Sequence, residues 1–328
     1  MKLHFIQRVI RKLFGQSLDK IKCRKYYKYY GDIFSENCID PNRDVNQISA
    51  KVLLGIHQLE KGLSFTQSSR EFGEKKALRL VDLLKKYNET GKKDFIFTLA
   101  INVLSEYLAV PNSTKNEKAR NMISSFIEEN KALVGKIETG TKIVSEPHSF
   151  DESSIVDFFL SRNSVREFSD KPITDDEIKK VMDFASCTPS ACNRQASRVH
   201  VYRDKQMMEK LIENQLGNQN WCNNARAIFV ITSDLNYFSM DEQLQYLVDG
   251  GLYAMNFDWG LHLYHIASCF KMYVRLPEID KEFHKISGIP QNEVPVVLIL
   301  AGHYKEDSIK SPKSVRLPID TDSNLFLH

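Results

Sequence analysis

The segment SRNSVREF, at residues 161–168, places two arginines and a serine within five residues, directly after a short predicted helix. The guanidinium groups of Arg162 and Arg166 can form paired, charge-assisted hydrogen bonds to a phosphate, and the Ser164 hydroxyl can add another. An arginine-rich helix end that lies in solvent has the same pattern. Taken alone, the segment leaves both interpretations open.

A second segment, TPSACNRQ at residues 188–195, lies between a predicted helix and a predicted strand. Its proline and small residues would let the backbone come close to a flat ligand, and the Asn193 amide can donate and accept hydrogen bonds together. The alternative is an Asx-type turn that leads into the strand.

Two further segments carry glycines or basic residues. DGG at residues 249–251 lies within a long predicted helix, where each glycine costs about 1 kcal/mol relative to alanine. Close helix crossing or close ligand approach would explain the glycines. PKSVRLP at residues 312–318 is a second basic cluster that could complete an anion site, and a disordered basic tail is its alternative.

The apolar periodicity divides the chain into a helical region and a mixed region. A helical repeat runs from about residue 45 to residue 131, and residues 135–151 read as a linker. Strand-like runs then follow at 199–202, 227–232, 269–274 and 294–301. Thr174 and Glu177 form a predicted capping box, and residues 241–267 can form one long helix. The sequence therefore predicts an α+β fold behind an all-helical N-terminal region, with divisions at 1–44, 45–150 and 151–328.

Composition and charge narrow the function classes. Of the 328 residues, 42% are hydrophobic and 27% charged, which is ordinary for a globular protein. The 45 basic and 42 acidic side chains nearly balance, so charge gives no reason to expect a nucleic-acid partner. Residues 1–30 carry nine basic groups against one acid. A helix there would be amphipathic, and it would pack on the body or a partner subunit, or lie on an anionic membrane surface.

The cysteines and histidines predict neither disulfides nor a metal site. Six cysteines occur without a CxxC pair, which favours reduced thiols in a cytoplasm. His262 and His265 share a helical face, but no third ligand stands at a recognised spacing. No run of about 18 apolar residues occurs, so we expect no transmembrane span.

The four segments, in this order between residues 153 and about 318, resemble the nitroreductase family of FMN-dependent flavoproteins. The resemblance implies a mixed sheet flanked by helices, and a homodimer that holds one FMN in each of two interface sites. It also implies ping-pong, two-electron transfer from NADH or NADPH through flavin N5 to a small organic acceptor such as a quinone or a nitroaromatic compound.

The same resemblance implies roles for individual residues. Arg162, Asn163 and Ser164 would bind the phosphate and ribityl end of FMN, together with Lys313 and Arg316. Arg166 would lie near N1 and O2 of the ring, where a cation favours the reduced flavin anion, and it is the candidate catalytic residue. The other subunit would cover the ring with Pro189, Ser190, Ala191 and Asn193, and Asn218 falls where the family often has a ribityl or ring contact.

Two features depart from the common family pattern. The stretch at residues 265–273 lacks the glycine that faces N5 in many members, so Phe270, Met272 and Tyr273 either narrow the pocket or form a core strand. The N-terminal segment HQLEKGL, at residues 57–63, resembles an extension in a subgroup associated with polysaccharide gene clusters. It is either a substrate lid or a helix end capped at Gly62. These departures leave an alternative function, a flavin-binding accessory protein of a surface-polysaccharide pathway with little or no turnover.

Overall fold

The computed structural model describes most of the chain. For residues 2–19, 45 and 46 it describes the backbone but not the side chains. The described residues are 2–38, 45–65, 72–111, 113–144, 149–213, 215, 224–306 and 309–316.

The N-terminal region is helical, as predicted. Asp94 caps one helix by accepting hydrogen bonds from the N–H groups of Ile96 and Phe97, and Asn116 caps the next through Ala119 N–H. Apolar residues that recur every three or four positions face a common core. The helices are α1 (Lys2–Asn37), α2 (Val45–Leu63), α3 (Glu74–Glu89), α4 (Phe95–Ala109) and α5 (Glu117–Glu129).

This helical region shares its core with the second half of the chain. Phe34 of α1 stacks on Tyr246, and the Gln47 side chain donates to Asn236 Oδ1 at 3.1 Å. The Tyr29 hydroxyl donates to the buried Asp280 carboxylate at 2.9 Å. The extension is therefore packed onto the mixed region, while the predicted divisions at 1–44, 45–150 and 151–328 remain predictions.

The second half contains the remaining helices and the sheet. The Thr174 side chain accepts from Glu177 N–H while the Glu177 carboxylate accepts from Thr174 N–H, so the predicted capping box is present. The helices are α6 (Glu152–Ser161), α7 (Asp175–Ala185), α8 (Lys205–Glu213), α9 (Gln245–Leu263) and α10 (Pro277–Ser287).

Four strands form one sheet in the order β1-β2-β4-β3, with every neighbouring pair antiparallel. A single parallel bridge joins Ser164 to Ser268 on β3, so within the described residues the predicted mixed character rests on that bridge. The α+β prediction is confirmed. The strands are β1 (Ser197–Tyr202), β2 (Ala227–Asp234), β3 (Ile266–Met272) and β4 (Glu293–His303).

Three predicted boundaries were wrong. The long helix spans Gln245–Leu263 rather than 241–267, because Leu244 at φ 70° and His265 at φ 59° adopt left-handed backbone at its two ends. The β3 strand consequently begins at Ile266 rather than at residue 269. Gly62 is not a C-cap: it lies inside α2, where the Phe72 ring covers it.

The two glycines of α9 lie in different surroundings. A Cβ atom on Gly250 would come within 2.5 Å of Val296 Cγ2 and 2.7 Å of Ser233 Oγ, so this glycine lets the helix approach the sheet closely. A Cβ atom on Gly251 would meet nothing within 4 Å. The predicted close approach therefore applies to Gly250.

Candidate functional site

The first and fourth predicted segments meet in one crevice. The Ser311 hydroxyl donates to the Ser164 backbone oxygen at 3.2 Å, which brings the C-terminal segment beside residues 161–166. A cavity of about 410 Å³ opens between them, and its walls are defined by Ser161, Asn163, Val165, Tyr304, Lys305, Ile309 and Ser311. We call this the first crevice.

The backbone of the SRNSVREF segment is held by the sheet. Val165 N–H donates to Ser268 O at 2.8 Å, and the Val165 and Phe168 side chains are buried. Phe168 packs directly on Gly302 of β4, where a Cβ atom would lie 2.5 Å from Phe168 Cβ. Because Val165 points into the core, its polar neighbours Ser164 and Arg166 lie at the surface side of the segment.

Arg162 is fixed by an acid that the sequence did not single out. Its Nη1 lies 3.8 Å from Asp258 Oδ2, and Asp258 is completely buried in α9. The Ser268 hydroxyl donates to Asp258 Oδ1, whereas Oδ2 accepts no hydrogen bond from the described residues. Burial raises the pKa of Asp258, and the Ser268 hydrogen bond and the Arg162 charge oppose that shift. The pair places a half-buried cation between the crevice-lining residues Ser161 and Asn163 in the sequence.

The other predicted cations lie nearer to solvent. Arg166 is exposed, and its Nη1 donates to Ser164 O at 3.2 Å. Burial raises the pKa of the Cys269 thiol on β3, and the charge of Arg166 opposes the shift. Lys313 and Arg316 are exposed on the segment that follows Ser311, and Asn163 donates to Ser161 O at 2.8 Å.

The second and third predicted segments meet in another crevice. Ala191 N–H donates to Asp249 Oδ2 at 2.9 Å, and Asn256 Nδ2 donates to Thr188 Oγ1 at 2.8 Å, so two side chains of α9 hold the loop. A cavity of about 270 Å³ lies here, bounded among others by Pro189, Ser190, Gln195, Asp249 and Tyr253. We call this the second crevice.

The loop of the second crevice is strained and held by a buried ion pair. Cys192, Asn193 and Gln195 adopt φ values of 51°, 51° and 53°, in the left-handed region that non-glycine residues rarely occupy. Between them, Arg194 is buried and forms a bidentate pair with Glu242 at 2.5 and 2.7 Å. Arg194 Nε also donates to Ala191 O at 3.0 Å. The sequence signal for this ion pair is an arginine within a run of small and polar residues, and Arg194 was not among the predicted site residues.

The two crevices lie on opposite faces of α9. Asp249 belongs to the second crevice and Asp258 contacts Arg162 of the first. Their spacing of nine residues corresponds to two and a half helical turns, which is about 13.5 Å along the axis and half a turn around it. One chain therefore brings segment one beside Ser311, which leads into segment four, and brings segment two to Asp249 of segment three.

The stretch at residues 265–273 is a strand with mixed burial. Tyr273 is buried and donates to Asp280 Oδ1 at 2.7 Å, Phe270 is half-buried, and Met272 is exposed. Tyr273 is thus a core residue just beyond the end of β3, whereas Met272 is a strand residue that is exposed, so the core-strand interpretation fits neither residue completely. Asn218 lies outside the described residues.

His262 lies in α9, whereas His265 lies just beyond the end of this helix. His262 Nε2 lies 2.8 Å from Ser161 Oγ, and burial lowers the pKa of this imidazole. His265 occupies the left-handed turn before β3. The described part of the chain contains no cluster of histidine, cysteine, aspartate or glutamate residues that could hold a metal ion. Among the described helices, none combines the length and apolarity needed to cross a bilayer.

Comparisons with known proteins agree on the second half of the chain. Residues 160–303 match the model of the Nitroreductase family. A protein of Archaeoglobus fulgidus named "Putative NADH dehydrogenase/NAD(P)H nitroreductase" is 29% identical over 149 residues, which cover 45% of this chain and 83% of that protein.

Solved structures give similar coverage. An FMN-dependent nitroreductase of Clostridium difficile R20291 is 20% identical with a TM-score of 0.41, and the alignment covers 50% of this chain and 99% of that one. The oxidoreductase YcnD of Bacillus subtilis is 19% identical with a TM-score of 0.43, and the alignment covers 50% of this chain and 70% of that one.

Proposed function

We propose that residues 160–303, which match the model of the Nitroreductase family, form the oxidoreductase domain of an FMN-dependent homodimer. This enzyme would transfer electrons from NADH or NADPH to a small organic acceptor. The observation that carries this proposal is the pairing of the four segments into two crevices on opposite faces of α9. Asn163 lines the first crevice, and Pro189 and Ser190 line the second, so each crevice contains residues that the family resemblance assigns to FMN.

The first crevice fits the phosphate end of FMN. Arg162 is held half-buried beside Asp258, and Ser164 lies next to the segment that carries Lys313 and Arg316. A cation already fixed by a buried acid loses little side-chain freedom when it binds a phosphate, which favours affinity. We assign the phosphate and ribityl chain to Arg162, Asn163 and Ser164 with Lys313 and Arg316.

Arg166 is the proposed cation beside the flavin ring. It lies two residues beyond Ser164, and its charge opposes the rise that burial causes in the pKa of the Cys269 thiol on β3. FMN supplies the two-electron chemistry when it is bound. The part of Arg166 is to place positive charge where the reduced ring carries negative charge, which makes reduction more favourable. The role of Asn218 stays a prediction.

The second crevice supports the contribution of a partner subunit. Pro189, Ser190, Ala191 and Asn193 line or border it and, in one chain, lie on the far side of α9 from Arg162. A two-fold axis beside α9 would bring this loop of one subunit to the first crevice of the other. An isologous contact of this kind builds two equal sites from two equal chains.

Exposed apolar residues mark a surface that a second chain would cover. Val248 and Leu252 lie four residues apart on α9 and are exposed, as are Leu244 just before the helix and Phe159 and Leu160 on α6. Contiguous apolar patches of this kind are typical of protein interfaces. The homodimer of the proposal uses this surface.

A reducing compartment is part of the proposal. The five cysteines that the structure describes, Cys23, Cys38, Cys187, Cys192 and Cys269, form no disulfide. Free thiols are the usual state in a cytoplasm. We therefore propose a cytoplasmic enzyme; peripheral membrane contact through residues 1–30 remains a prediction.

Flavin binding provides the first test. The purified chain should be yellow or take up FMN at micromolar concentration, and Arg162→Ala should weaken FMN binding by about 1.5 to 3 kcal/mol, the range for a hydrogen bond to a charged group. Arg203→Ala, which removes a cation from an exposed ion pair with Asp175, is the matched control. A colourless protein that does not bind FMN, or equal FMN affinity of the Arg162→Ala and Arg203→Ala variants, would refute the assignment.

Turnover separates the enzyme from the accessory-protein alternative. Rapid mixing of the FMN-loaded protein with NADH or NADPH under anaerobic conditions should bleach the flavin absorbance, and a quinone or nitroaromatic compound should restore it. Bound flavin that neither nucleotide bleaches would favour the accessory protein of a polysaccharide pathway.

A further inference from the structure

The N-terminal extension contains a basic groove that neither crevice uses. It lies between α2 and α3 and is closed at one side by Ser239, with a volume of about 190 Å³. At roughly 30 Å³ for each water of the bulk liquid, this space corresponds to about six water molecules. The α2–α3 groove is lined by Lys51, Leu54, Gly55, Gln58, Lys76, Arg79, Leu80, Leu83 and Ser239.

Three cations converge on this groove. Lys51 comes from α2, and Lys76 and Arg79 come from α3, whereas none of the nine described lining residues is acidic. Lys76 and Arg79 are exposed and form no ion pair within the described part of the chain. Their spacing of three residues places like charges side by side on one helix, where they repel each other unless an anion neutralises them.

Two acids near the groove, Glu74 and Glu242, are engaged in other contacts, and Asp82 is exposed on α3 three residues after Arg79. Glu74 accepts hydrogen bonds from the Thr114 hydroxyl at 2.5 Å and the Asn116 amide at 3.2 Å. Glu242 is occupied by Arg194 and by Ser239 N–H. The positive charge of the groove is therefore not neutralised by Glu74 or Glu242.

The base of the groove is formed by close packing of α2 on α3. Leu80 is completely buried, and a Cβ atom on Gly55 would lie 3.1 Å from Leu80 Cδ1, so the two helices are in close contact beneath the cations. Gln58 and Ser239 add neutral hydrogen-bonding groups at the walls, and Leu54 and Leu83 add apolar surface. A small anion can thus meet charge, hydrogen-bond donors and a short apolar wall together.

We propose that the α2–α3 groove binds a small phosphorylated molecule. The guanidinium fork of Arg79 and the ammonium group of Lys76 match the several oxygens and the charge of a phosphate group, since arginine pairs its oxygens bidentately and lysine acts as a point charge. The volume admits one or two phosphate groups with a small organic part. This site shares no lining residue with the crevices proposed for FMN.

Calorimetric titration of the full chain with inorganic pyrophosphate tests the site. The titration is done with FMN in excess, so that the phosphate site of the first crevice is filled if the chain binds flavin, and at constant ionic strength. Lys76→Gln with Arg79→Gln should weaken pyrophosphate binding by about tenfold or more. The control is Lys75→Gln with Lys86→Gln, which removes two exposed lysines from α3 outside the groove.

The outcomes decide the proposal whether or not FMN binds. Binding by the wild type and the control, with loss in the groove variant, supports it. Equal weakening in both double variants would reduce the effect to general surface charge and overturn the site. Absence of pyrophosphate binding by the wild type would overturn it as well, and tighter binding of citrate than of pyrophosphate would overturn the assignment to phosphate. All four substituted residues are exposed, so wild-type thermal midpoints should verify that the variants fold.

Discussion

Arg194 is a buried residue that anchors the loop at residues 192–195 through its ion pair with Glu242, and the sequence pattern did not single it out. It is the largest fully buried side chain, and its guanidinium lies 5.3 Å from the centre of the Phe238 ring. Burial opposes ionisation of the Glu242 carboxyl, but hydrogen bonds from Arg194 and from Ser239 N–H hold the pKa of Glu242 below its usual value. The strained loop at residues 192–195 is stable because this pair fixes it from beneath.

Replacing this arginine should destabilise the protein. Arg194→Met leaves a half-buried carboxylate without its partner, and we expect the free energy of unfolding in urea to fall by about 2 to 4 kcal/mol at neutral pH. Arg203→Met, at an exposed ion pair, should cost less than about 1 kcal/mol. Similar losses in the two variants would contradict the anchoring role of Arg194.

The same pair predicts a dependence on pH. Because the folded-state pKa of Glu242 lies below that of the unfolded chain, its stabilisation is present above the ordinary glutamate pKa of about 4.3 and is lost as the pH falls through the lower value. The difference between wild type and Arg194→Met should therefore shrink on acidification below about pH 4. A difference that grew on acidification would reverse the sign of the linkage.

At the scale of elements, α9 organises the second half of the chain. Its Gly250 side lies on the sheet, Asp249 and Asn256 hold the loop of the second crevice, and Asp258 fixes Arg162. The left-handed residues Leu244 and His265 set its length. One helix thus positions both proposed half-sites, because residues two and a half turns apart point to opposite sides.

The close approach at Gly250 can be measured. The methyl group added by Gly250→Ala would clash with Val296 and Ser233 and push them away from α9. We therefore expect a loss of about 1 to 3 kcal/mol in the free energy of unfolding. Gly31→Ala in α1 is the control, since nothing lies within 4 Å of a Cβ there, and it should stabilise slightly through helix propensity. An unchanged stability for Gly250→Ala would show that α9 does not need the glycine to approach the sheet.

At the scale of the whole molecule, the helical extension and the second half of the chain share a hydrophobic core. Leu235, Tyr237, Phe238 and Tyr246 share a core with α1 to α5, and the Ala191–Asn193 turn lies against α2. The loop of the second crevice is therefore supported by the extension as well as by α9. The exposed apolar residues of α9 lie on the face that we propose as the contact with a second chain.

Charge on that apolar face should separate the proposed dimer. Val248→Asp with Leu252→Asp should shift the sedimenting species from twice the chain mass of 37.9 kDa to a single chain, and should weaken FMN binding at least tenfold because half of each site is lost. Ile143→Asp, at an apolar residue that is almost fully exposed away from α9, should leave both unchanged. A wild type that sediments as one chain while binding FMN tightly would refute the two-chain site.

The amino-acid sequence by itself determined the helical first half, the α+β second half, the capping box at Thr174 and the four segments that resemble a nitroreductase. These features follow from local periodicity and short motifs, which depend on neighbouring residues. The tertiary structure alone decided how the four segments pair, that Arg162 rests on Asp258, and that Arg194 supports the strained loop through Glu242. Those contacts join residues 48 and 96 positions apart, and only the packing of α9 against the sheet and the two loops brings such residues together.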